Sequence, residues 1–214
     1  MAAEVTQQRL LEAAGQEFAE KGFRGATIRG ICDRAGANVA AVKYHFGDKE
    51  QLYKAALKNA FRCRVDQMPA PNWPAGTPPA TKLREFIRVM VNNMIDDEAL
   101  PWQMQLLMRA LAVEPSAAGV ELVREFIRPI YELLWGILRE VLPAGISEER
   151  LHLTAFSIIG QGFYLRAGRP VLSRVVGEQE FNSYDANLLA DHITAFSLAA
   201  LGLAPPLNQR GQDP

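Results

Sequence analysis

Residues 27–46, TIRGICDRAGANVAAVKYHF, hold two short helical patterns separated by a glycine, and this segment constrains the fold more than any other. Thr27 can cap a first helix, because its hydroxyl can accept a hydrogen bond from a free amide of the first turn. Four apolar residues of that helix recur at helical spacing: Ile28, Ile31, Cys32 and Ala35. Gly36 then permits a tight turn into the next helix. The segment therefore predicts a helix-turn-helix.

The second helix of the motif is very short, and its small side chains point outward. Asn38 can cap it, while Val42 and Phe46 lie four residues apart and point inward. The outward positions are Val39, Ala40, Ala41, Lys43 and Tyr44. A helix with small outer residues fits a DNA major groove, where alanine and valine contact thymine methyls and Lys43 can donate to guanine.

The flanking segments supply the rest of a small helical core. An amphipathic helix over 6–21 places Leu10, Ala14 and Phe18 on one face and stops at Gly22. After the motif, Asp48 precedes Gln51 by three residues, the spacing of a helix-capping box. Lys49 lies in the first turn of that fourth helix and can face a phosphate.

Beside these patterns the chain resembles the TetR family of bacterial transcriptional regulators. The resemblance rests on Gly22-Phe23, Thr27, Ile31, Ala35-Gly36, Val42, Tyr44-His45-Phe46, Lys49-Glu50 and Leu52. It implies phosphate contacts at Thr27, Tyr44 and Lys49, base contacts from 39–43, and a further DNA-backbone contact at His45. Further along, the segments FIRPIYELL and AFSIIGQGFYLRAGRPVL resemble the CecR-like carboxy-terminal domains of that family.

The rest of the chain also predicts helices, so the expected fold class is all-α, with no internal repeat and no strand pattern. The expected organisation is a helix-turn-helix domain over 1–47, a regulatory and dimerisation domain over 48–203, and a disordered tail over 204–214. Within the larger domain, 48–66 forms the connecting helix and 69–79 a proline-rich loop, whose path Trp73 can fix. Pro129 should kink or restart a long apolar helical segment over 117–142.

Two later helices have faces too apolar for the surface of a monomer. Ser147 and Asp185 can cap them, and they are expected to be the last two helices of the chain. Their apolar positions are Leu153, Phe156, Ile159, Gly160 and Phe163 on the first and Leu189, Ile193, Phe196 and Ala200 on the second. Small residues such as Gly160, Gly162 and Ala200 allow close helix approach, which predicts a homodimer interface in a four-helix bundle. A two-fold dimer would read a pseudo-palindromic DNA site.

The resemblance further implies a small-molecule effector, held by the carboxy-terminal helices, that releases the DNA. Candidate contacts are Met90, Met94, Trp102, Met104, Met108, Arg109, Phe126, Tyr131, Trp135, Gln161 and Tyr164. Their apolar and aromatic character suits a hydrophobic or amphipathic compound, and Arg109 would favour an acid or phenolate. Methionine and aromatic stripes also pack as ordinary core. The alternative is therefore a DNA-binding dimer without an effector, controlled by a protein partner or by its abundance, and a tightly filled core would favour it.

Composition and motif content exclude several other classes. Residues 1–68 hold eleven Lys and Arg against eight Asp and Glu, a net charge of +3, and the remainder carries −4. No apolar run approaches the roughly twenty residues that cross a bilayer, and no leader opens the chain, which predicts a cytoplasmic protein without a membrane partner. Cys32 and Cys63 are expected to be reduced packing residues. The spacing of His45, His152 and His192 favours no metal site. No cofactor motif or catalytic constellation occurs, which argues against an enzyme.

Overall fold

The computed structural model describes residues 2–67, 71–95, 101–113 and 116–205. Regular structure in these residues is helical and none of it is strand, which confirms the predicted all-α class. The helices in chain order are α1 (Ala2–Gly25), α2 (Ile28–Ala35), α3 (Val39–Phe46), α4 (Lys49–Gln67), α5 (Pro79–Ile95), α6 (Pro101–Met108), a π-helical segment (Arg109–Val113), α7 (Ala117–Leu122), a second π-helical segment (Val123–Ile127), α8 (Arg128–Val141), α9 (Glu148–Ala167), α10 (Arg169–Val176), α11 (Glu178–Asn182) and α12 (Ala186–Ala200).

The chain divides into two compact units, and the first is formed by Met1–Gln67 with Asp97–Arg128. Helix α1 packs against α2, α4 and α6 in this unit. Phe18 lies at the centre of its core, with its ring edge-on to Tyr53 of α4 at 4.9 Å between centroids. Gly22 breaks the helical path of α1 with φ of 73°, where the sequence predicted a stop.

The boundary expected after residue 47 therefore ends the motif but not the compact unit. Leu52, Ala56 and Leu57 of α4 and Leu106 of α6 are buried in the same core as α1 and α2. Helices α1, α2 and α3 bury too little apolar surface to be stable alone, and α4, α6 and α7 supply the remainder.

The second unit comprises Met68–Asp96 and Pro129–Pro214, within which α5, α8, α9 and α12 surround a separate core. The Trp73 indole donates to Glu85 of α5, confirming that this side chain tucks the proline-rich loop against the unit. Lys82 of α5 donates to Glu140 of α8 at 2.7 Å. Residues 69–70 of the loop and 206–214 of the expected tail lie outside the described residues.

The predicted helix starts are confirmed by their capping hydrogen bonds. The acceptor atom of each cap lies 2.8 to 3.2 Å from a backbone amide three residues on, at Thr27, Asn38, Asp48, Ser147 and Asp185. These interactions are local in sequence, so the pattern alone indicates them.

The expectation that two long helices follow each other at the carboxy terminus is wrong. Helices α10 and α11 lie between α9 and α12, and Phe181 anchors α11 by its burial. Pro129 falls in the first turn of α8, directly after the second π-helical segment, which confirms a helix restart near this proline. No described helix is long and apolar enough to cross a membrane.

Candidate nucleic-acid interface

The turn between α2 and α3 depends on a left-handed glycine. Gly36 has φ of 59° and ψ of 42°, a conformation that costs energy for residues with a Cβ. The Ala37 amide donates to the Cys32 carbonyl at 2.9 Å and closes the end of α2. Asn38 then caps α3, so three residues connect α2 to α3. The first residue of α3 therefore follows directly from a fixed turn.

Helix α3 presents four side chains to solvent and is anchored by one. Tyr44 is 82% exposed, and Val39, Ala40 and Lys43 are also exposed. Val42 is buried and fixes the helix to the core of the first unit. Ala41 is half-buried and packs against that core, so it lies nearer the inner side than the sequence predicted. The outward face is short and carries one cation, which suits the width of a major groove.

Two predicted phosphate contacts lie at helix amino termini. Thr27 is exposed at the start of α2, and its hydroxyl accepts the Gly30 amide at 3.0 Å. Lys49 opens α4, and its ammonium lies over the Phe23 ring, 4.8 Å from the ring centre, in a cation–π contact. His45 is half-buried and meets the Tyr44 ring edge-on at 4.9 Å. Both helix starts combine free amides with a donor side chain, an arrangement that attracts anions.

The eleven predicted effector contacts fall in different units. Five belong to the first unit: Trp102, Met104, Met108, Arg109 and Phe126. Met104 is a buried core residue, and Trp102 covers Gly15, where a Cβ would lie 2.1 Å from the indole. The Arg109 guanidinium donates to the Ala19 carbonyl at 3.0 Å. Its position is thus explained by the end of α1 without any ligand.

The other six candidates belong to the second unit: Met90, Met94, Tyr131, Trp135, Gln161 and Tyr164. Met90 is buried in the core, and both methionines pack over Gly162. The Gln161 side chain donates to the Ser157 carbonyl of its own helix. Tyr164 is 59% exposed, so it does not line the interior of the protomer.

An aromatic cluster joins α8 to α9 in the second unit. His152 stacks between Tyr131 and Trp135 and is hydrogen-bonded to the Tyr131 hydroxyl through Nδ1. Burial raises the pKa of Tyr131. The Trp135 indole N–H is buried without a hydrogen-bond partner among the described residues. The cluster continues to Phe156, which is 57% exposed on the outer side of α9.

The predicted dimer residues separate into exposed and buried groups. Leu153, Phe156 and Gly160 of α9 and Phe196 and Ala200 of α12 are exposed. Three others are half-buried: Ile159, Phe163 and Leu189.

Ile193 is only 1% exposed within the core, so it is unavailable to a partner, contrary to the sequence assignment. Leu188 is exposed on α12 but was not among the predicted dimer residues, and Tyr164 is exposed although it was predicted to contact an effector. The spacing of Tyr164 from Gly160 and Phe156 could have indicated the outer face. These exposed residues of α9 and α12, namely Leu153, Phe156, Gly160, Tyr164, Leu188, Phe196 and Ala200, are called the outer face below.

Comparison with known proteins agrees with this arrangement. Residues 79–201 match the family model described as the carboxy-terminal domain of the HTH-type transcriptional dual regulator CecR. Residues 10–56 match that of the bacterial regulatory proteins of the tetR family. The chain belongs to the TetR family of bacterial transcriptional regulators. This family member is therefore a transcriptional regulator and not an enzyme.

Relatives match the regulator over different lengths. CecR of Shigella flexneri is 25% identical over 202 residues, which cover 89% of each chain. The transcriptional repressor AcnR of Corynebacterium efficiens is 44% identical over 53 residues, 25% of this chain and 28% of AcnR.

Solved structures share the fold. A TetR-like regulator from Rhodococcus superposes with a TM-score of 0.64 at 20% identity and covers 92% of this chain and 96% of its own. FadR of Bacillus subtilis, crystallised with stearoyl-CoA, superposes with a TM-score of 0.62 at 17% identity, over 90% and 97% of the two chains. Within the described residues, no group of three or more His, Cys, Asp or Glu side chains could hold a metal ion.

Proposed function

We propose that the chain is a homodimeric repressor that acts in the cytoplasm and binds a pseudo-palindromic operator through α3. The observation that carries this proposal is the outward face of α3, with Val39, Ala40, Lys43 and Tyr44 exposed while Val42 is buried. In this assignment Lys43 donates to a guanine edge, and the small residues contact thymine methyls. Thr27, Asn38, Tyr44, His45 and Lys49 hold the DNA backbone, which fixes register without reading sequence.

Dimerisation is proposed through the outer face. Exposed phenylalanine, tyrosine and leucine side chains clustered on two helices are unfavourable in water, which makes their burial in a partner favourable. A Cβ added at Gly160 would meet nothing within 4 Å, so packing inside the protomer gives no reason for a glycine there. At Gly162 it would lie 3.2 Å from the Met94 sulfur, so that glycine serves the protomer's own core. Gly160 is thus the position where a partner helix can approach closely.

Repression is proposed because AcnR, to which 53 residues of this chain are similar, is a repressor. That match covers only 25% of this chain, so the proposal of repression is tested through DNA binding first. A repressor needs only to occupy its operator, whereas an activator needs a further contact with the transcription machinery.

An amphipathic small molecule is the proposed effector, held in the second unit. Support comes from the similar FadR fold, whose crystal structure contains stearoyl-CoA. Met94, Trp135 and Gln161 are half-buried in this unit and supply apolar surface and an amide. The effector must bind the DNA-free state more tightly than the DNA-bound state, because equal affinity for both would shift no equilibrium.

A dimer without an effector is the second candidate, and one observation favours it. Met90 is buried against the core, and its methyl carbon lies 3.5 Å from the position of a Cβ on Gly162. Space beside this methionine is therefore filled by the protein itself. A protein partner or the abundance of the regulator would then control operator occupancy.

Fluorescence anisotropy tests the DNA-binding proposal. Labelled DNA from upstream of the gene for this chain is compared with shuffled DNA of equal length at near-physiological salt. Selective binding with two protomers, or a multiple of two, per site is expected. Equal weak binding to this DNA and to its shuffled control would contradict binding to an operator at its own gene.

The same assay separates the two forms of control. Stearoyl-CoA and a free long-chain fatty acid are the probes, each titrated into the protein–DNA complex below its micelle-forming concentration. Loss of anisotropy with a saturable midpoint supports an effector, and a matched detergent control excludes simple unfolding. An unchanged signal with both probes favours the dimer without an effector of this class.

A further inference from the structure

A buried carboxylate lies between α1 and α2 of the first unit, which is called the DNA-binding unit below. Glu17 of α1 is only 2% exposed. Its Oε1 accepts from the Lys21 ammonium at 2.7 Å, and its Oε2 accepts from the Arg34 guanidinium at 3.3 Å. Burying a carboxylate is costly even when it is paired, and apolar side chains of similar volume are often as stable or more so. Stability alone therefore does not explain why a glutamate occupies this buried position.

The two cations that bind Glu17 differ in what they connect. Lys21 lies one turn further along α1, so its bond stays within one helix. Arg34 lies on α2, and its bond joins two helices. Arg34 also donates to Glu20 at 2.6 Å and to Gln16 at 3.2 Å. The hydrogen bond that Arg34 donates to Glu20 raises the pKa of Arg34. Arg34 thus ties α2 to three side chains of α1.

A second arginine also binds α2 at its carboxyl-terminal end. Arg9, near the start of α1, donates to the carbonyls of Ala35 and Gly36, the latter at 3.2 Å. In the first turn of α2, a Cβ on Gly30 would lie 2.7 Å from Glu17 Oε1. The glycine at position 30 leaves room for the carboxylate to lie directly against α2.

This arrangement matters because α2 has only eight residues and leads directly into α3, the proposed recognition helix. Its amino terminus carries Thr27, and its carboxyl terminus continues through Gly36 to α3. A shift of α2 along α1 would move both the phosphate contact and the base-reading face. Binding constellations must be held within about 0.5 Å by their supporting residues to work well.

We propose that Glu17, Arg34 and Arg9 form a clamp that positions α2, and through it the recognition helix, for operator readout. The proposal rests on the DNA-binding function proposed above. The clamp residues are positioning residues and touch no base. Apolar side chains in place of the clamp would stabilise α2 against unfolding equally well. They would not fix its position along α1, because charge-assisted hydrogen bonds are directional and hydrophobic packing is not.

The test compares Arg34→Met with Lys21→Met. Both variants remove one positive charge from the same unit and one bond from Glu17, but only Arg34→Met breaks the connection between helices. We expect Arg34→Met to weaken operator binding about tenfold or more, the cost of one misplaced base contact in each half-site, and to reduce preference over shuffled DNA. Lys21→Met should bind within about twofold of the wild type, since it loses only a general electrostatic contribution.

Two further variants keep the result interpretable. Glu17→Gln preserves the shape of the side chain and should weaken binding as Arg34→Met does. It provides the test if Arg34→Met folds poorly. Gly30→Ala displaces the carboxylate and should act in the same direction. Circular dichroism melting confirms that each variant is folded at the assay temperature. Equal weakening by Arg34→Met and Lys21→Met would mean that charge alone matters and would overturn the clamp.

A measurement without DNA separates the clamp from the DNA-binding proposal. Hydrogen exchange of the α3 amides, 39–46, should be faster in Arg34→Met than in Lys21→Met. Unchanged α3 exchange in all clamp variants refutes the positioning role whether or not the wild type binds DNA. Faster α3 exchange in the clamp variants, together with no selective DNA binding by the wild type, would uphold the clamp and reject the operator.

Discussion

Replacing Phe156 by alanine is the sharpest test of the proposed dimer. The side chain is 57% exposed in the protomer. A phenylalanine offers roughly 200 Å² of surface, so about 115 Å² remains for a partner to cover. At about 25 cal/mol per Å², that surface is worth roughly 3 kcal/mol, of which the alanine methyl retains about a third.

Two-fold symmetry doubles the effect, because the same substitution occurs on both sides of the interface. The expected loss is therefore about 4 kcal/mol per dimer, which corresponds to roughly a thousandfold rise in the dimer dissociation constant. Sedimentation velocity over a concentration series from nanomolar to micromolar measures this constant directly. Operator affinity should fall in parallel at protein concentrations below the new constant.

Tyr44→Ala is the matched control, since it also removes an exposed aromatic ring but lies on the recognition helix. Its dimer dissociation constant should stay within threefold of the wild type. Phe156 also contacts His152 and Tyr131 inside the protomer, so far-ultraviolet circular dichroism must show retained helix. A folded Phe156→Ala protein with an unchanged dissociation constant would refute the assignment of the outer face.

Three other predictions concern single side chains. Lys43→Ala should cost about 1–3 kcal/mol of operator-binding free energy and relax selectivity at one base pair. Lys49→Ala should weaken binding to all DNA sequences and lower the slope of affinity against salt concentration by about one. Anisotropy at several salt concentrations measures both, and identical behaviour of the two variants would contradict the assignment of Lys43 to a base and Lys49 to a phosphate. Gly160→Leu should dissociate the dimer with an unchanged protomer melting temperature, whereas Gly162→Leu should overpack the core and cost about 1–3 kcal/mol of stability in urea unfolding. Lys58 of α4 lowers the pKa of Glu121 below its ordinary value of 4.5, mainly through the hydrogen bond that it donates to the carboxylate. The stability from this pair is present above that ordinary value and lost as the pH falls through the lowered one, so between pH 6 and 3 the urea midpoint should fall less in Glu121→Gln than in the wild type.

Local signals predicted the recognition motif well. The caps at Thr27 and Asn38, the turn at Gly36 and the inward Val42 each depend on a few neighbouring residues, and each occurs as expected. The clamp was not predicted, because Glu17 reads in sequence as one more polar residue on an amphipathic helix. Its burial depends on where α2 lies, which spacing along one helix does not reveal.

Long-range packing accounts for the misassigned residues of the second unit. Gly160 and Gly162 look equivalent in sequence, yet one is exposed and the other is covered by Met94. Ile193 and Phe196 lie three residues apart on α12, and only the second is exposed. An apolar stripe wide enough to cover both a core and a partner does not say where one ends and the other begins. Helices α10 and α11 are short, and short helices depend on tertiary contacts more than on their own sequence.

The discontinuous make-up of the DNA-binding unit has a consequence for its synthesis. Its core joins α1 and α4 to α6 and α7, which the ribosome makes only after the whole of α5. At roughly 5–20 residues per second, the segment from residue 67 to residue 122 takes several seconds to emerge. During that interval the apolar surfaces of α1 and α4 that contact α6 and α7 lack those partners, so they are the surfaces a chaperone or a protease would meet first.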